Sequence, residues 1–202
     1  MDKQIIITIG REYGSAGHFI AEKLAEKLGI KLYDRLFIEN SSEEIGYSRE
    51  IMEKYDEKPV NVLAYKKIGN HSNSIELNVQ EKVAEFIRSK ADKGESFVVV
   101  GRCSDEIFRH NKNAIHIFIM GDYEEKLHRI MTLYKLSEAK AKEKIKKHDK
   151  KRKAYHNRYS SVKWGDSRGY HLCINSSAAG IDNTVDILCD YIMCFDKNRN
   201  II

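Results

Sequence analysis

The chain has 202 residues and a formal charge of +5, enough length for one good core and a charge balance that suits phosphorylated small substrates. Its four cysteines form no CxxC pair and its eight histidines no HExxH pair, which argues against a disulfide frame or a zinc site. No segment approaches the ~20 apolar residues of a membrane helix, and the opening apolar run is too short for a leader, so a soluble, cytoplasmic protein with no membrane partner is expected.

Ile5-Ile6-Ile7-Thr8-Ile9 is a nearly unbroken apolar run and predicts a strand buried on both faces. It enters Gly10-Arg11-Glu12-Tyr13-Gly14-Ser15-Ala16-Gly17-His18. After that turn Ile20, Ala21, Leu24, Ala25 and Leu28 repeat at helical spacing until Gly29. Lys31–Asp34 reads as a second short strand ending in an acid. Arg35 to about Tyr55 is helix-compatible, with a restart near Asn40–Glu44. Pro59 marks a break, and Val60–Ser74 reads as a mobile connection.

A helix from about Ile75 to Lys93 leads to a buried strand at Phe97–Val100, which runs into Gly101-Arg102-Cys103-Ser104-Asp105. Ile115–Met120 is a further strand and Tyr123–Tyr134 a helix. Ser137 is placed to cap a basic helix reaching roughly Tyr159, with nine Lys or Arg between Lys140 and Lys153. Ser160–Gly169 is a loop, Leu172–Asn175 the last strand and Ile181–Phe195 the last helix. Buried strands alternating with helices predict a three-layer α/β/α fold around a parallel five-stranded sheet.

Ligands of such sheets bind at the carboxyl ends of the strands. Three polar clusters follow strands in this chain: Gly10–His18, Asp34-Arg35 and Gly101–Asp105. That shared placement predicts one crevice. Small residues at Gly14, Ser15, Ala16 and Gly17 let backbone N–H groups approach phosphate oxygens at a helix N-terminus. Against the P-loop pattern GxxxxGK[ST], Glu12 falls on the first glycine, His18 on the lysine and Phe19 on the hydroxyl residue. A tight turn with no ligand is the plain alternative. A dinucleotide fingerprint with Asp34 as the ribose acid would need glycine at position 12.

Arg102 can be a guanidinium fork for a phosphate or a base edge, or can simply pair with a surface carboxylate. Along the basic helix Asp149, Arg152, Tyr155 and His156 share one face, continued by Tyr159, and a plainly exposed helix needs few tyrosines.

Ile7–Gly17, Tyr33-Asp34-Arg35, Val100–Cys103, Lys163-Trp164-Gly165-Asp166 and Leu172–Ser177 together resemble the cytidylate-kinase-like family over nearly the whole chain. That family resembles bacterial cytidylate kinases. The resemblance implies a P-loop nucleoside monophosphate kinase fold with a core (1–34, 96–135 and 170–196), a helical monophosphate-binding insert (35–95) and a helical lid (136–169). It also implies transfer of the ATP γ-phosphoryl group to a nucleoside monophosphate, CMP or dCMP first, with Mg²⁺ carried on the ATP.

By the same resemblance Gly14–His18 and Arg11 hold the ATP phosphates. Asp34, Arg35, Arg102 and Asp105 meet the acceptor, and Arg152, Arg158 and His18 supply catalytic charge. Asp149, Tyr155 and Tyr159 belong to the lid. Cytidylate kinases carry an aspartate where this chain has Cys103, and family members usually carry arginine where it has His18. A second reading is a phosphate-binding module that kept the cradle and lost the chemistry. A third is nucleic-acid binding through the basic helix, which needs its charge on one continuous exposed surface.

Overall fold

The computed structural model describes residues 3–55, 67–68, 71–72 and 74–198. β1 (Ile6–Arg11) leads through a five-residue turn into α1 (Gly17–Leu28). β2 (Lys31–Tyr33) follows, then three short helices, α2 (Arg35–Asn40), α3 (Ser42–Ile45) and α4 (Arg49–Tyr55). A two-residue antiparallel pair, β3 (Lys67–Ile68) and β4 (His71–Ser72), precedes α5 (Ile75–Asp92). The connection expected at Val60–Ser74 otherwise lies outside the described residues, except for Ser74, whose hydroxyl caps α5 by accepting from Leu77 N–H at 3.3 Å.

β5 (Phe97–Val100), the four-residue α6 (Ser104–Ile107), β6 (Ala114–Met120), α7 (Tyr123–Tyr134) and the 22-residue α8 (Glu138–Tyr159) come next. β7 (Leu172–Asn175), α9 (Ser176–Ala179) and α10 (Ile181–Asn198) close the chain. Ser137 occupies the position before α8 but makes no side-chain cap bond; the first turn is held instead by a Glu138–Lys142 ion pair at 2.5 Å.

The strands form one parallel sheet in the order β2-β5-β1-β6-β7. Strand periodicity sorts the core into two layers. Ile5, Ile7 and Ile9 pack with α1 and α10 through Ile20, Leu24, Leu188 and Ile192. Ile6 faces the other side, with Tyr33, Val83, Ile87 and Phe97. A smaller cluster of Leu127, Ile130, Ala141 and Ile145 joins α7 to α8. From β1 the chain first crosses to the β2 edge, then steps back through β5 and passes β1 to reach β6 and β7, so the connections leave the carboxyl end of β1 and β5 in opposite directions and a crevice opens there.

Candidate active site

The turn after β1 is built for close backbone approach. Gly14 lies at φ 88° and Ala16 at φ 58°, the left-handed region, and α1 begins at Gly17. A Cβ on Gly17 would stand 2.6 Å from Arg11 Cβ, so only glycine fits there. Ser15 is fully buried and donates its hydroxyl to Glu12 O at 2.9 Å, so it serves the turn from inside. Ser176 braces the same turn from α9 by donating to Ser15 O at 2.7 Å. Glu12 accepts from Lys126 Nζ at 2.7 Å and Gly121 N–H at 3.2 Å, and Arg129 donates to Gly14 O.

His18 points back toward β2, where its Nε2 lies 2.9 Å from Asp34 Oδ2; its Nδ1 lies 3.7 Å from Glu22. Asp34 also caps α2, accepting from Phe37 N–H at 2.8 Å. Burial alone would push its carboxyl up, but that bond, His18 and the charge of Arg102 together hold it below the ordinary value.

At the end of β5, Gly101, Arg102 and Cys103 are three consecutive left-handed residues (φ 77°, 58° and 54°). The two side-chain-bearing residues each carry roughly 1–2 kcal/mol of strain. The turn is held by Gly101 N–H donating to Ile9 O, Ser104 N–H to Gly101 O and Gln80 Nε2 to Arg102 O at 3.3 Å. The strained geometry buries Arg102, which is 1% exposed, at the carboxyl edge of the sheet.

α8 docks on both turns. Asp149 accepts from Tyr13 N–H at 2.7 Å, and Arg152 donates to Arg11 O at 3.2 Å. Tyr13 stacks on His148 with ring centroids 4.1 Å apart and carries Arg152 over its face. Burial raises the Asp149 carboxyl more than Tyr13 N–H and Arg152 lower it. Burial, with Arg152 and nearby lysines, lowers His148 to about 4. Farther along, His156 Nε2 meets Asp105 Oδ2 at 2.7 Å with both side chains under 10% exposed. Trp164 lies edge-on to Phe118, fixing the following loop.

Three adjoining cavities run along this edge. The first, of about 460 Å³, is lined by Gly14, Ala16, Gly17 and His18 and, at its far end, by Arg129, Leu133, Tyr134 and Ile181. It shares Arg11 and Arg152 with a space of about 20 Å³ also walled by Arg102, Asp105, Tyr155 and His156. That space shares Cys103 with a third cavity, of about 280 Å³, reaching Gln80 and Tyr159.

Most of the residues singled out from the sequence thus meet in one crevice. Arg35 and Arg158 line none of these three cavities: Arg35 pairs with Glu39 at 2.5 Å, and Arg158 is on the exposed side of α8. Asp149 acts on the backbone of the turn and Asp34 on His18 and α2. Sequence reasoning missed Gln80, His148 and Arg129, which lie on helices with no motif around them. Glu12 and Lys126 were equally hidden as a pair, being 114 residues apart.

A parallel sheet in this order, with a glycine turn entering a helix at the end of its central strand, defines the P-loop kinase fold. The fold is shared by a shikimate kinase from Bacteroides thetaiotaomicron (TM-score 0.55, 13% identity, 94% of this chain and 98% of that one). A gluconokinase from Sinorhizobium meliloti shares it too (TM-score 0.59, 11% identity, 98% and 96% covered). An uncharacterized protein from Eubacterium ventriosum is more similar, with TM-score 0.75 and 37% identity over 94% of this chain and 98% of that one. The chain belongs to the cytidylate kinase-like family, whose sequence profile matches residues 6–178. No curated protein matches it. Among the described residues no helix is long and apolar enough to cross a membrane.

Proposed function

We propose that the protein transfers the γ-phosphoryl group of ATP to a nucleoside monophosphate, with CMP and dCMP the first acceptors to test. The observation that carries this reading is the row of cavities: a phosphate cradle and a second ligand-sized space meet at a gap walled by Arg11, Arg102 and Arg152. ATP enters as its Mg²⁺ complex. Its phosphates lie against the backbone of Gly14–His18, and its base lies between Arg129 and Ile181. Phe19 offers no metal ligand, so the ion is held by phosphates and water.

The acceptor phosphate sits at the gap. Its oxygen is already ionised and attacks the γ-phosphorus in line, so no strong general base is required. The three guanidinium groups neutralise the charge that spreads over the transferred group. In this reading residues 136–169 form a lid over the core and residues 35–95 the acceptor insert. Closure through Asp149, Arg152 and the Asp105–His156 pair excludes water and limits ATP hydrolysis. The four cysteines are free thiols, which suits a reducing cytoplasm.

A second reading, a binding module without turnover, is favoured by one observation: both ring nitrogens of His18 face carboxylates. A coupled assay with ATP, Mg²⁺ and a panel of nucleoside monophosphates separates the two. Turnover that collapses in Arg102→Ala supports the kinase; ATP binding with no turnover for any acceptor overturns it.

A further inference from the structure

The third cavity carries information about the far end of the acceptor. Its wall is part apolar, with Leu77, Ala84 and Ile107, and part charged, with three glutamates and Arg88, and it carries two uncharged polar side chains: Gln80 from α5 and Tyr159 from the end of α8. Gln80 is 93% buried, since only 7% of its surface is exposed. Its Nε2 donates to Arg102 O, which fixes the orientation of the amide, because the flipped form would set two carbonyl oxygens against each other. Gln80 Oε1 is left buried with no hydrogen-bond partner among the described residues, and the Tyr159 hydroxyl is in the same condition. Buried polar groups in folded proteins are nearly always paired, so two orphans on one cavity point to a ligand that pairs them.

The chemistry of the orphans defines that ligand. Gln80 Oε1 can only accept, so the group opposite it must carry an N–H or O–H. The Tyr159 hydroxyl can donate or accept. Burial, with the negative charges of Glu76 and Glu81 and against that of Arg158, pushes it up to about 12, so it keeps its proton at neutral pH. Cys103, which also lines the cavity, is a poor acceptor for such a donor. Base recognition therefore has to come from other groups.

We propose that Gln80 and Tyr159 are the specificity determinants of the acceptor site, reading a nucleobase edge that presents an N–H donor beside a second polar atom. This rests on the kinase reading for the acceptor's phosphate being at the arginine gap. A base with no N–H on that edge leaves Gln80 Oε1 unpaired in the complex and binds at least about tenfold more weakly.

The test is titration calorimetry of the full chain with CMP and with the 5′-monophosphate of pyrimidin-2-one riboside, which lacks the amino group and has no ring N–H. Wild-type protein should bind CMP at least tenfold more tightly. Gln80→Leu should reduce that ratio to near one, and Tyr159→Phe, which removes one hydroxyl, should reduce it in part. Equal affinity of the two nucleotides in wild-type protein, or a ratio unchanged in Gln80→Leu with circular dichroism showing a folded chain, overturns the proposal. Coupled turnover of both nucleotides at equal efficiency would overturn it while leaving the kinase reading standing. A tenfold binding ratio without turnover would support it and count against the kinase reading alone.

Discussion

His18 Nε2 stands 2.9 Å from Asp34 Oδ2, so the imidazole at the P-loop lysine position is held by an acid at the end of the neighbouring strand. Its other nitrogen faces Glu22 at 3.7 Å. The ring thus lines the cradle without directing a free donor into it. His18→Lys supplies a longer, permanently charged ammonium, and a charge-assisted bond to phosphate contributes about 1.5 kcal/mol. ATP affinity should rise about tenfold in calorimetry. An unchanged affinity would mean that the cradle draws its cation from elsewhere.

Gly17 should tolerate no side chain. The added methyl of Gly17→Ala meets Arg11 Cβ, which is fixed to the backbone of β1 and cannot swing away. Overpacking of this kind costs about 1–3 kcal/mol. A lowered urea midpoint together with at least tenfold weaker ATP binding is expected. Wild-type stability in this variant would contradict the tight approach of the turn to β1.

Asp105 and His156 tie α6 to α8 across 51 residues in a buried setting. Asp105→Ala strands the imidazole Nε2 without its partner and should cost roughly 2–4 kcal/mol, read from urea unfolding. Asp105→Asn keeps an acceptor and should cost less. Limited proteolysis should then cut within 136–169 faster in the alanine variant than in the wild type.

Acid should destabilise the fold before the carboxylates titrate. Burial, then the charge of His171, lowers His116 to about 4, against 6.5 in an unfolded chain. Between those values the unfolded state binds a proton that the folded state does not. The stability present above pH 6.5 is therefore lost as pH falls toward 4, by on the order of 3 kcal/mol. His116 Nδ1 meets the Thr8 hydroxyl at 2.9 Å. His116→Gln retains a polar partner there and should make the stability curve between pH 6.5 and 4 shallower, leaving the part that His148 contributes. An equally steep curve in the variant would place the acid sensitivity elsewhere.

Periodicity and turn chemistry made the frame legible. The five strands, α1 with its Gly29 cap, and α5, α7 and α8 follow from apolar spacing and punctuation within short windows. The convergence of the first and third polar clusters followed from the rule that parallel sheets bind at one edge, whereas of the second only Asp34 reaches the cradle, through His18. What the sequence hid was decided by contacts between distant residues. Nothing local announces three left-handed residues at 101–103, since Arg and Cys seldom adopt that conformation, nor the four-residue helices α6 and α9, too short to show a period. Gln80 reads as an ordinary polar helix position and is buried only because α5 packs on the 101–103 turn. Arg35 had a motif-like place beside Asp34, yet its side chain lies along α2 to Glu39.

In the proposed reaction a phosphoryl group crosses the gap walled by Arg11, Arg102 and Arg152. Incubation with ATP labelled in its γ-phosphate, Mg²⁺ and CMP, followed by chromatography, tests it most directly. Label is expected in CDP, reduced at least a hundredfold in Arg152→Ala and in Arg102→Ala. Label that stays in ATP or appears only as inorganic phosphate, for CMP and for every other nucleoside monophosphate tried, would contradict it.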